Sequence, residues 1–359
     1  MSTAPGTQPT VLITGSEGLI GDALVNDLCD KYDIASFDIA RPHKLPEVQD
    51  FMHCDLTQDE SVQAALETLR QRHGNRLASV IHLAAYYDFS GEPSPLYQEL
   101  TVEGTRRLLR GLQHFEVDQF VFSSTLLVMK PAEKGELVRE TSPTDPGWDY
   151  PVSKLETEGV IEQERGNIRS VILRIAGVYD DIGHSPPITQ QISRIYEKEL
   201  ESYFFPGDAD KGQSFIHLED MVTCLRRVIE RRHELAEHEV FLIGEPDMMS
   251  YEELQDQLGE LIHGQEWPTL RVPKLVAKAG AWVKDQLAGE DGEEFIKPWM
   301  IDLADQNYPV SMEKAREKLG WEPKRRLRNT LSTIVGSLLS NPQKWYEENG
   351  ISVPESVKT

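Results

Sequence analysis

Cysteine and long apolar runs are scarce in this sequence. Its three cysteines, Cys29, Cys54 and Cys224, are far apart and odd in number, so they predict neither a disulfide framework nor a zinc ribbon, and a reducing compartment is expected. No apolar run approaches the ~18 residues of a membrane span, and residues 1–10 lack the charged and apolar regions of a signal peptide. We therefore expect a cytoplasmic protein with no integral membrane segment and no metal site.

Positive charge is also in short supply. Only 37 Lys and Arg stand against 60 Asp and Glu, a formal net charge of −23 over 359 residues. Such an excess of carboxylates disfavours nucleic acid and anionic membranes as partners over most of the surface. Hydrophobic residues make up 39% and charged residues 27%, which is typical of a globular chain rather than a disordered one.

A glycine-rich turn near the start is the most informative stretch that is present. Residues 11–13 are apolar and branched, as in a buried strand, and Gly15, Gly18 and Gly21 follow at a spacing of three. Apolar residues then continue at helical spacing. Strand, glycine turn and helix bring backbone N–H groups and a positive helix end to a pyrophosphate. The alternative is an ordinary strand-to-helix turn that happens to be rich in glycine.

An acidic residue closes the next predicted strand. Residues 34–37 are followed by Asp38, which lies 17 positions beyond Gly21, close to where dinucleotide-binding folds place the acid that hydrogen-bonds an adenosine ribose. A carboxylate there repels a 2′-phosphate, so NAD is favoured over NADP. Asp38 as a plain turn residue is the alternative.

Strands and helices alternate through the first half of the chain. We predict a third strand that closes with residues 53–56 and further strands over 80–85, 120–122 and 171–175, with helices over 61–72 and 101–112 between them. This alternation predicts an α/β fold with a doubly wound parallel sheet.

Tyr150 and Lys154 lie four residues apart in a predicted helix, and therefore on one face of it. A tyrosine has an unperturbed pKa of about 10, and a lysine ammonium one turn away lowers it toward the range of a general base. Moving a hydride to or from a carbinol carbon needs such a base. A surface Tyr–Lys pair is the alternative.

At this point the motifs resemble the extended short-chain dehydrogenase/reductases, the group that includes the NAD-dependent epimerase/dehydratase family. The residues that carry the resemblance are Gly15, Gly18, Gly21, Asp38, Asp55, Leu56, the runs 82–85 and 123–125, Tyr150, Lys154, and the later segments 215–220 and 318–323. The resemblance implies a Rossmann NAD-binding domain over residues 8–179 with a return segment 213–247. It also implies a smaller C-terminal substrate-binding domain over 248–345 with segment 180–212, and a homodimer.

The resemblance further implies which residues serve the site. The implied catalytic residues are Thr125, Tyr150 and Lys154, with Ser124 as the fallback for Thr125. The implied cofactor-binding residues are Gly15, Glu17, Gly18, Leu19, Ile20, Gly21, Asp38, Asp55, Leu56, Leu83, Ala84, Ala85, Ser123, Tyr150 and Lys154. Lys154 is expected to hold the hydroxyls of the nicotinamide ribose.

Four departures from the family pattern bear on the substrate. Gly177 stands where sugar-nucleotide enzymes carry an asparagine, Gln213 is the nearest match to their diphosphate arginine, and Thr101 replaces a common asparagine. Residues 126–127 are both leucine, where the 4,6-dehydratases carry an Asp–Glu pair. We therefore expect an oxidoreductase acting on a secondary alcohol or ketone, for example a sterol-like or other apolar alcohol. The alternatives are a sugar-nucleotide 4-epimerase and a non-catalytic NAD-binding sensor.

Three further stretches have ordinary interpretations. His233 and His238 are five apart, not the four of a zinc-protease helix, and predict a solvated charged helix. The basic run 324–328 predicts a solvated face. Residues 273–287 carry an apolar stripe, Val276, Ala279, Trp282, Val283 and Leu287, which predicts a substrate-domain or interface helix, with a membrane-surface helix as the alternative.

Overall fold

A parallel β-sheet forms the centre of the protein. The structure, a computed structural model, describes residues 8–40, 49–88, 91–278, 301 and 304–358. Seven strands run side by side in the order β12-β8-β7-β5-β1-β2-β3, and every neighbouring pair is parallel. The strands in chain order are β1 (Thr10–Thr14), β2 (Asp33–Asp38), β3 (Gln49–His53), β4 (Arg76–Leu77), β5 (Ser79–His82), β6 (Glu116–Val117), β7 (Gln119–Thr125), β8 (Arg169–Ile175), β9 (Gly177–Tyr179), β10 (Phe204–Pro206), β11 (Phe215–His217), β12 (His238–Ile243) and β13 (Leu270–Val272).

Helices cover both faces of this sheet, which confirms the doubly wound α/β prediction. They are α1 (Leu19–Leu28), α2 (Asp59–His73), α3 (Glu103–Leu112), α4 (Asp149–Glu164), α5 (Pro186–Tyr196), α6 (Leu218–Glu230), α7 (Tyr251–His263), α8 (Glu313–Leu319), α9 (Leu327–Ser340) and α10 (Pro342–Glu348). In β1, Val11 and Ile13 belong to a core shared with α1 and α6, whereas Leu12 belongs to a core shared with α2 and α3. Alternate residues therefore bury on opposite faces, which is why the strand is apolar throughout.

Several predicted element ends are wrong in detail. The third strand ends at His53 and not at residue 56, and the fourth ends at His82. The helix predicted over 101–112 begins at Glu103, and a π-helix, Tyr97–Val102, precedes it. His233 lies in a turn and His238 begins β12, so the predicted helix across them is not formed.

A third apolar core lies apart from the sheet. It gathers α5, α7, α9 and α10 around buried residues that include Ile192, Leu258, Leu331 and Trp345. Helix α7 begins with a capping box in which Ser250 and Glu253 satisfy each other's backbone N–H groups. The domain limits expected from the sequence remain a prediction.

No helix among the described residues is long and apolar enough to cross a membrane. Of the stripe over 273–287, Val276 is described and is 59% exposed. Ala279, Trp282, Val283 and Leu287 lie outside the described residues.

Candidate active site and cofactor cradle

The glycine turn closes tightly between β1 and α1. Gly15 has φ +71°, and its N–H donates to the carbonyl of Phe37 at 2.9 Å, which joins the ends of β1 and β2. A Cβ at Gly15 would lie 2.8 Å from the backbone nitrogen of Ala84, and one at Gly21 would lie 2.2 Å from the carbonyl oxygen of Gly15. Both positions therefore accept only glycine.

Gly18 differs from Gly15 and Gly21 because the space that a Cβ would occupy is open. It is the N-cap of α1, and a Cβ there would meet nothing closer than the Gly15 carbonyl oxygen at 3.5 Å. Leu19 and Ile20 form the first turn of α1, whose N–H groups have no partner within the helix. An open N-terminus of this kind fits the pyrophosphate of a dinucleotide.

We call the glycine turn and the open N-terminus of α1 the cofactor cradle. Asp38 lies at the rim of this cradle, at the end of β2. Its carboxylate accepts the backbone N–H of Glu17 at 3.1 Å, of Ile39 at 2.8 Å and of Ala40 at 3.2 Å. These bonds hold the carboxylate in place, and its oxygens have capacity for further donors, as a ribose diol would supply. The position fits the predicted ribose contact.

Asp55 and Leu56 follow β3 and have local partners. Asp55 accepts the N–H of Thr57 at 2.9 Å and its hydroxyl at 2.7 Å, which closes a turn. Leu56 is buried and lies against Gly104 of α3. Their predicted cofactor contacts remain predictions.

His82 ends β5 and fastens the sheet beneath the cradle, ahead of Leu83, Ala84 and Ala85. Its Nδ1 lies 2.7 Å from the Thr14 hydroxyl, and its Nε2 lies 2.8 Å from the Thr105 hydroxyl, which itself donates to the carbonyl of Thr101. Burial lowers the pKa of His82 to about 3, so the ring is neutral with its hydrogen on Nε2. The residue links β1, β5 and α3.

Tyr150, Lys154 and Thr125 come together where β7 ends against α4. The ammonium Nζ of Lys154 donates to the Ser123 carbonyl at 2.7 Å and lies 5.8 Å from the centre of the Tyr150 ring. The Thr125 side chain lies near the Tyr150 hydroxyl and favours its ionised form. Ser124 is different, because its hydroxyl donates to the buried Glu158 at 2.5 Å. Thr125, and not the fallback Ser124, therefore meets Tyr150.

Burial sets the protonation of this group. It raises the pKa of Tyr150, and the nearby Thr125 side chain opposes that rise. It lowers the pKa of Lys154 to about 7, and the nearby charge of Glu158 opposes that fall. Tyr150 is therefore protonated in this state and can donate a proton.

Aromatic rings surround Tyr150, and sequence reasoning missed them. The ring of Tyr87 packs edge-on to Tyr150 with centroids 4.9 Å apart, and that of Trp148 lies 5.4 Å away. Tyr87 is 50% exposed. We call Tyr87 and Trp148 the aromatic wall. The sequence indicates the aromatic wall only by the positions of its residues: Tyr87 lies just after the run 82–85, and Trp148 lies two residues before Tyr150.

The positions that depart from the sugar-nucleotide pattern have protein partners. A Cβ at Gly177 would lie 2.8 Å from the ring of Phe215, its register partner across β9 and β11. The Gln213 side chain lies near the Tyr251 hydroxyl and opposes the rise that burial causes in the pKa of Tyr251. Thr101 is buried, and its hydroxyl accepts the N–H of Tyr86.

The basic run 324–328 is held by carboxylates, so the predicted solvated face is only partly right. Arg325 pairs with Glu219 at 3.0 Å and Asp181 at 3.3 Å, and Arg328 pairs with Glu253 at 3.3 Å.

The parallel sheet opens with a strand, a glycine turn and a helix, and Tyr150 and Lys154 lie one helical turn apart beside the end of a strand. These features define a dinucleotide-binding protein of the short-chain dehydrogenase/reductase type. The model of the NAD dependent epimerase/dehydratase family matches residues 11–244. The chain belongs to this family of NAD-dependent enzymes, and its open cradle at Gly18 with Asp38 at the rim fits NAD.

Known relatives fall into more than one substrate class. The short-chain dehydrogenase/reductase family 42E member 1 of Danio rerio is 26% identical over 341 residues, 87% of this chain and 84% of that protein. The decarboxylating sterol-4-alpha-carboxylate 3-dehydrogenase ERG26 of Candida albicans is 26% identical over 191 residues, 47% of this chain and 51% of its own. The solved UDP-glucose 4-epimerase of Thermotoga maritima, with UDP-glucose, shares the fold: its TM-score is 0.68 at 23% identity, over 92% of this chain and 99% of that one.

Proposed function

We propose that this NAD-dependent enzyme transfers a hydride at a secondary alcohol or ketone, with Tyr150 as general acid and base. The observation that carries the proposal is the position of the Thr125 side chain beside Tyr150, with Lys154 buried one helical turn away. An acid/base tyrosine needs a neighbouring cation and a second hydroxyl to orient the substrate oxygen, and this arrangement supplies both.

Each residue then has a distinct task. Thr125 donates a hydrogen bond to the substrate oxygen. Tyr150 takes the hydroxyl proton as a phenolate during oxidation, and gives its phenolic proton to the ketone oxygen during reduction. The Lys154 ammonium would stabilise the phenolate that forms when Tyr150 gives up its proton, and it would hold ribose hydroxyls. The turn at Gly15 and Gly18 would hold the pyrophosphate. Bound NAD supplies the hydride acceptor or donor.

The surroundings of Tyr150 support an apolar substrate. The aromatic wall packs against the Tyr150 ring, and the partly buried Leu127 follows Thr125 by two residues. Flat aromatic faces favour a ring-bearing alcohol with a hydrophobic face. The similarity to a sterol dehydrogenase over 47% of the chain points the same way.

The assay is NADH formation across a panel of sterols, other ring alcohols, short-chain alcohols and sugar nucleotides. The proposal predicts the highest kcat/KM for an apolar ring alcohol. Turnover of sugar nucleotides alone would contradict it.

A sugar-nucleotide 4-epimerase is the second candidate, because a UDP-glucose 4-epimerase shares the fold over nearly its whole length. An epimerase returns its hydride within one turnover and can retain NAD, whereas a dehydrogenase must exchange its cofactor each cycle. Gly177 and Gln213 supply no charge-assisted contact for a diphosphate. We therefore expect purified protein largely free of NAD and weak in UDP-glucose binding. Near-stoichiometric retained NAD, released on denaturation, together with tight UDP-glucose binding would favour the epimerase.

We also propose a homodimer in the cytoplasm. The apolar Val152 is 44% exposed on α4, and the few, scattered cysteines suit a reducing compartment. Light scattering coupled to size exclusion measures the mass directly. A monomer at micromolar concentration would contradict the dimer. A sensor without catalysis is disfavoured by the joint presence of Thr125, Tyr150 and Lys154 in one cluster.

A further inference from the structure

A buried ion pair lies behind the reactive residues and takes no part in the chemistry described so far. Glu158 follows Lys154 by one turn on α4, and its carboxylate meets Arg174 of β8. The Nε–Oε1 distance is 3.1 Å and the Nη2–Oε2 distance is 2.7 Å, with each side chain 10% exposed. Two parallel bonds of this kind fix the orientation of both groups.

Ser124 connects this pair to the end of β7. It is buried, its hydroxyl donates to Glu158 Oε1 at 2.5 Å, and it is the register partner of Arg174 across β7 and β8. Ser124 lies between Ser123, whose carbonyl accepts a hydrogen bond from the Lys154 ammonium, and Thr125, whose side chain lies near the Tyr150 hydroxyl. Glu158 is therefore attached to the strand segment on which the reactive group is built.

We propose that Glu158 is a positioning residue: through Ser124 and Arg174 it fixes the end of β7 against α4, and its negative charge balances that of Lys154. The inference rests on the proposed function in assigning the chemistry to Tyr150 and Lys154.

Among the groups described below around Lys154, Glu158 supplies negative charge, whereas the others are neutral or positive. Tyr150 lies on the same helix and is protonated, since burial raises its pKa. His82 at the end of β5 is neutral, because burial lowers its pKa to about 3. Arg174 from β8 adds a positive charge on the far side of Glu158. The carboxylate of Glu158 thus opposes the loss of the proton from buried Lys154.

Tyr97 of the π-helix is a further titratable group near the site, and Tyr87 of the aromatic wall is another, whose pKa burial also raises. Tyr97 interacts with Tyr150 electrostatically, and burial raises its own pKa to about 12. It is therefore uncharged over the neutral range and does not replace Glu158 as a counter-charge.

The test is Glu158→Gln, which keeps the size of the side chain and removes its charge. We would measure the Kd of NADH by fluorescence titration between pH 6 and 10, because a protonated Lys154 is the form that holds the ribose. Loss of the Glu158 charge should lower the midpoint pH of the NADH-binding curve by about one unit. Above both midpoints, affinity should be about tenfold lower than in the wild type.

The matched control is Glu239→Gln on β12. Glu239 is also a buried carboxylate, paired with Lys314 at 2.8 Å, and lies on a different strand from the site residues. Its removal should leave the NADH midpoint unchanged. The double variant Glu158→Gln/Arg174→Met removes the cation left behind, so its midpoint should return part of the way toward the wild type.

Two results would overturn the role of Glu158: a wild-type midpoint in Glu158→Gln, or an equal shift in Glu239→Gln. If the single variant does not fold, the electroneutral double variant carries the test, and a wild-type midpoint there overturns the charge-balancing role. Failure of the proposed function has a separate signature, namely unaltered turnover in Tyr150→Phe, which does not depend on the NADH midpoint.

Discussion

Gly18→Ala separates cofactor binding from folding. Gly18 has φ −76° and ψ 165°, a conformation open to any residue, and the new Cβ would meet only the Gly15 carbonyl oxygen, at 3.5 Å. The weaker N-cap and the lower entropy of the unfolded chain have opposite signs, so stability should change by less than about 1 kcal/mol. The added methyl group occupies the open space where the pyrophosphate approaches. Overpacking of about 1–3 kcal/mol there weakens NADH binding by about 5- to 150-fold.

The assay pairs urea denaturation with NADH fluorescence titration. Gly21→Ala is the contrasting variant, because its Cβ would lie 2.2 Å from Gly15 O and 2.7 Å from Ser16 Cα, both backbone atoms. It should lower stability by about 1–3 kcal/mol or more. Gly336→Ala in α9, where a Cβ meets nothing within 4 Å, should stabilise by about 0.5–1 kcal/mol and leave binding unchanged. Wild-type NADH affinity in a stable Gly18→Ala protein would refute the claim that the pyrophosphate binds at Gly18.

Three further variants test the cofactor preference set by Asp38, substrate binding by Tyr87 of the aromatic wall, and the effect of the buried Glu245 on stability. Asp38→Ala should narrow the preference for NAD over NADP in calorimetric titration; an unchanged ratio would contradict the ribose role. Tyr87→Ala should raise the KM of a ring alcohol about 3- to 10-fold with NADH affinity unaltered; equal KM values would exclude the wall from substrate binding. Burial raises the pKa of Glu245 to about 7, so wild-type stability should fall by up to about 3 kcal/mol as the pH rises from about 4.5 to 7. In urea denaturation Glu245→Gln should lack this loss, and an identical pH dependence would exclude Glu245 as its source.

Much of the fold is readable from the sequence because its signals are local. The apolar runs at β1 and β8 are buried on both faces, and the spacing of Gly15, Gly18 and Gly21 reflects two backbone clashes and one open space within a single turn. The pairing of Tyr150 with Lys154 follows from helical geometry alone.

The features that escaped prediction depend on contacts across the sheet. The aromatic wall forms because the segment after β5 and the start of α4 meet in space, which no periodicity encodes. The choice between Ser124 and Thr125 depends on which face of β7 each side chain occupies, and Glu158 decides it from α4. The π-helix before α3 has no distinctive pattern in its own residues.

The most direct test of the account is the turnover of Tyr150→Phe on the best alcohol found in the panel, with NADH affinity measured in parallel. Removal of the phenolic hydroxyl deletes the proton acceptor and retains the ring that packs against Tyr87. We predict a fall in kcat of about 10²-fold or more with Kd for NADH within about twofold of wild type. Wild-type kcat in this variant would contradict the central claim.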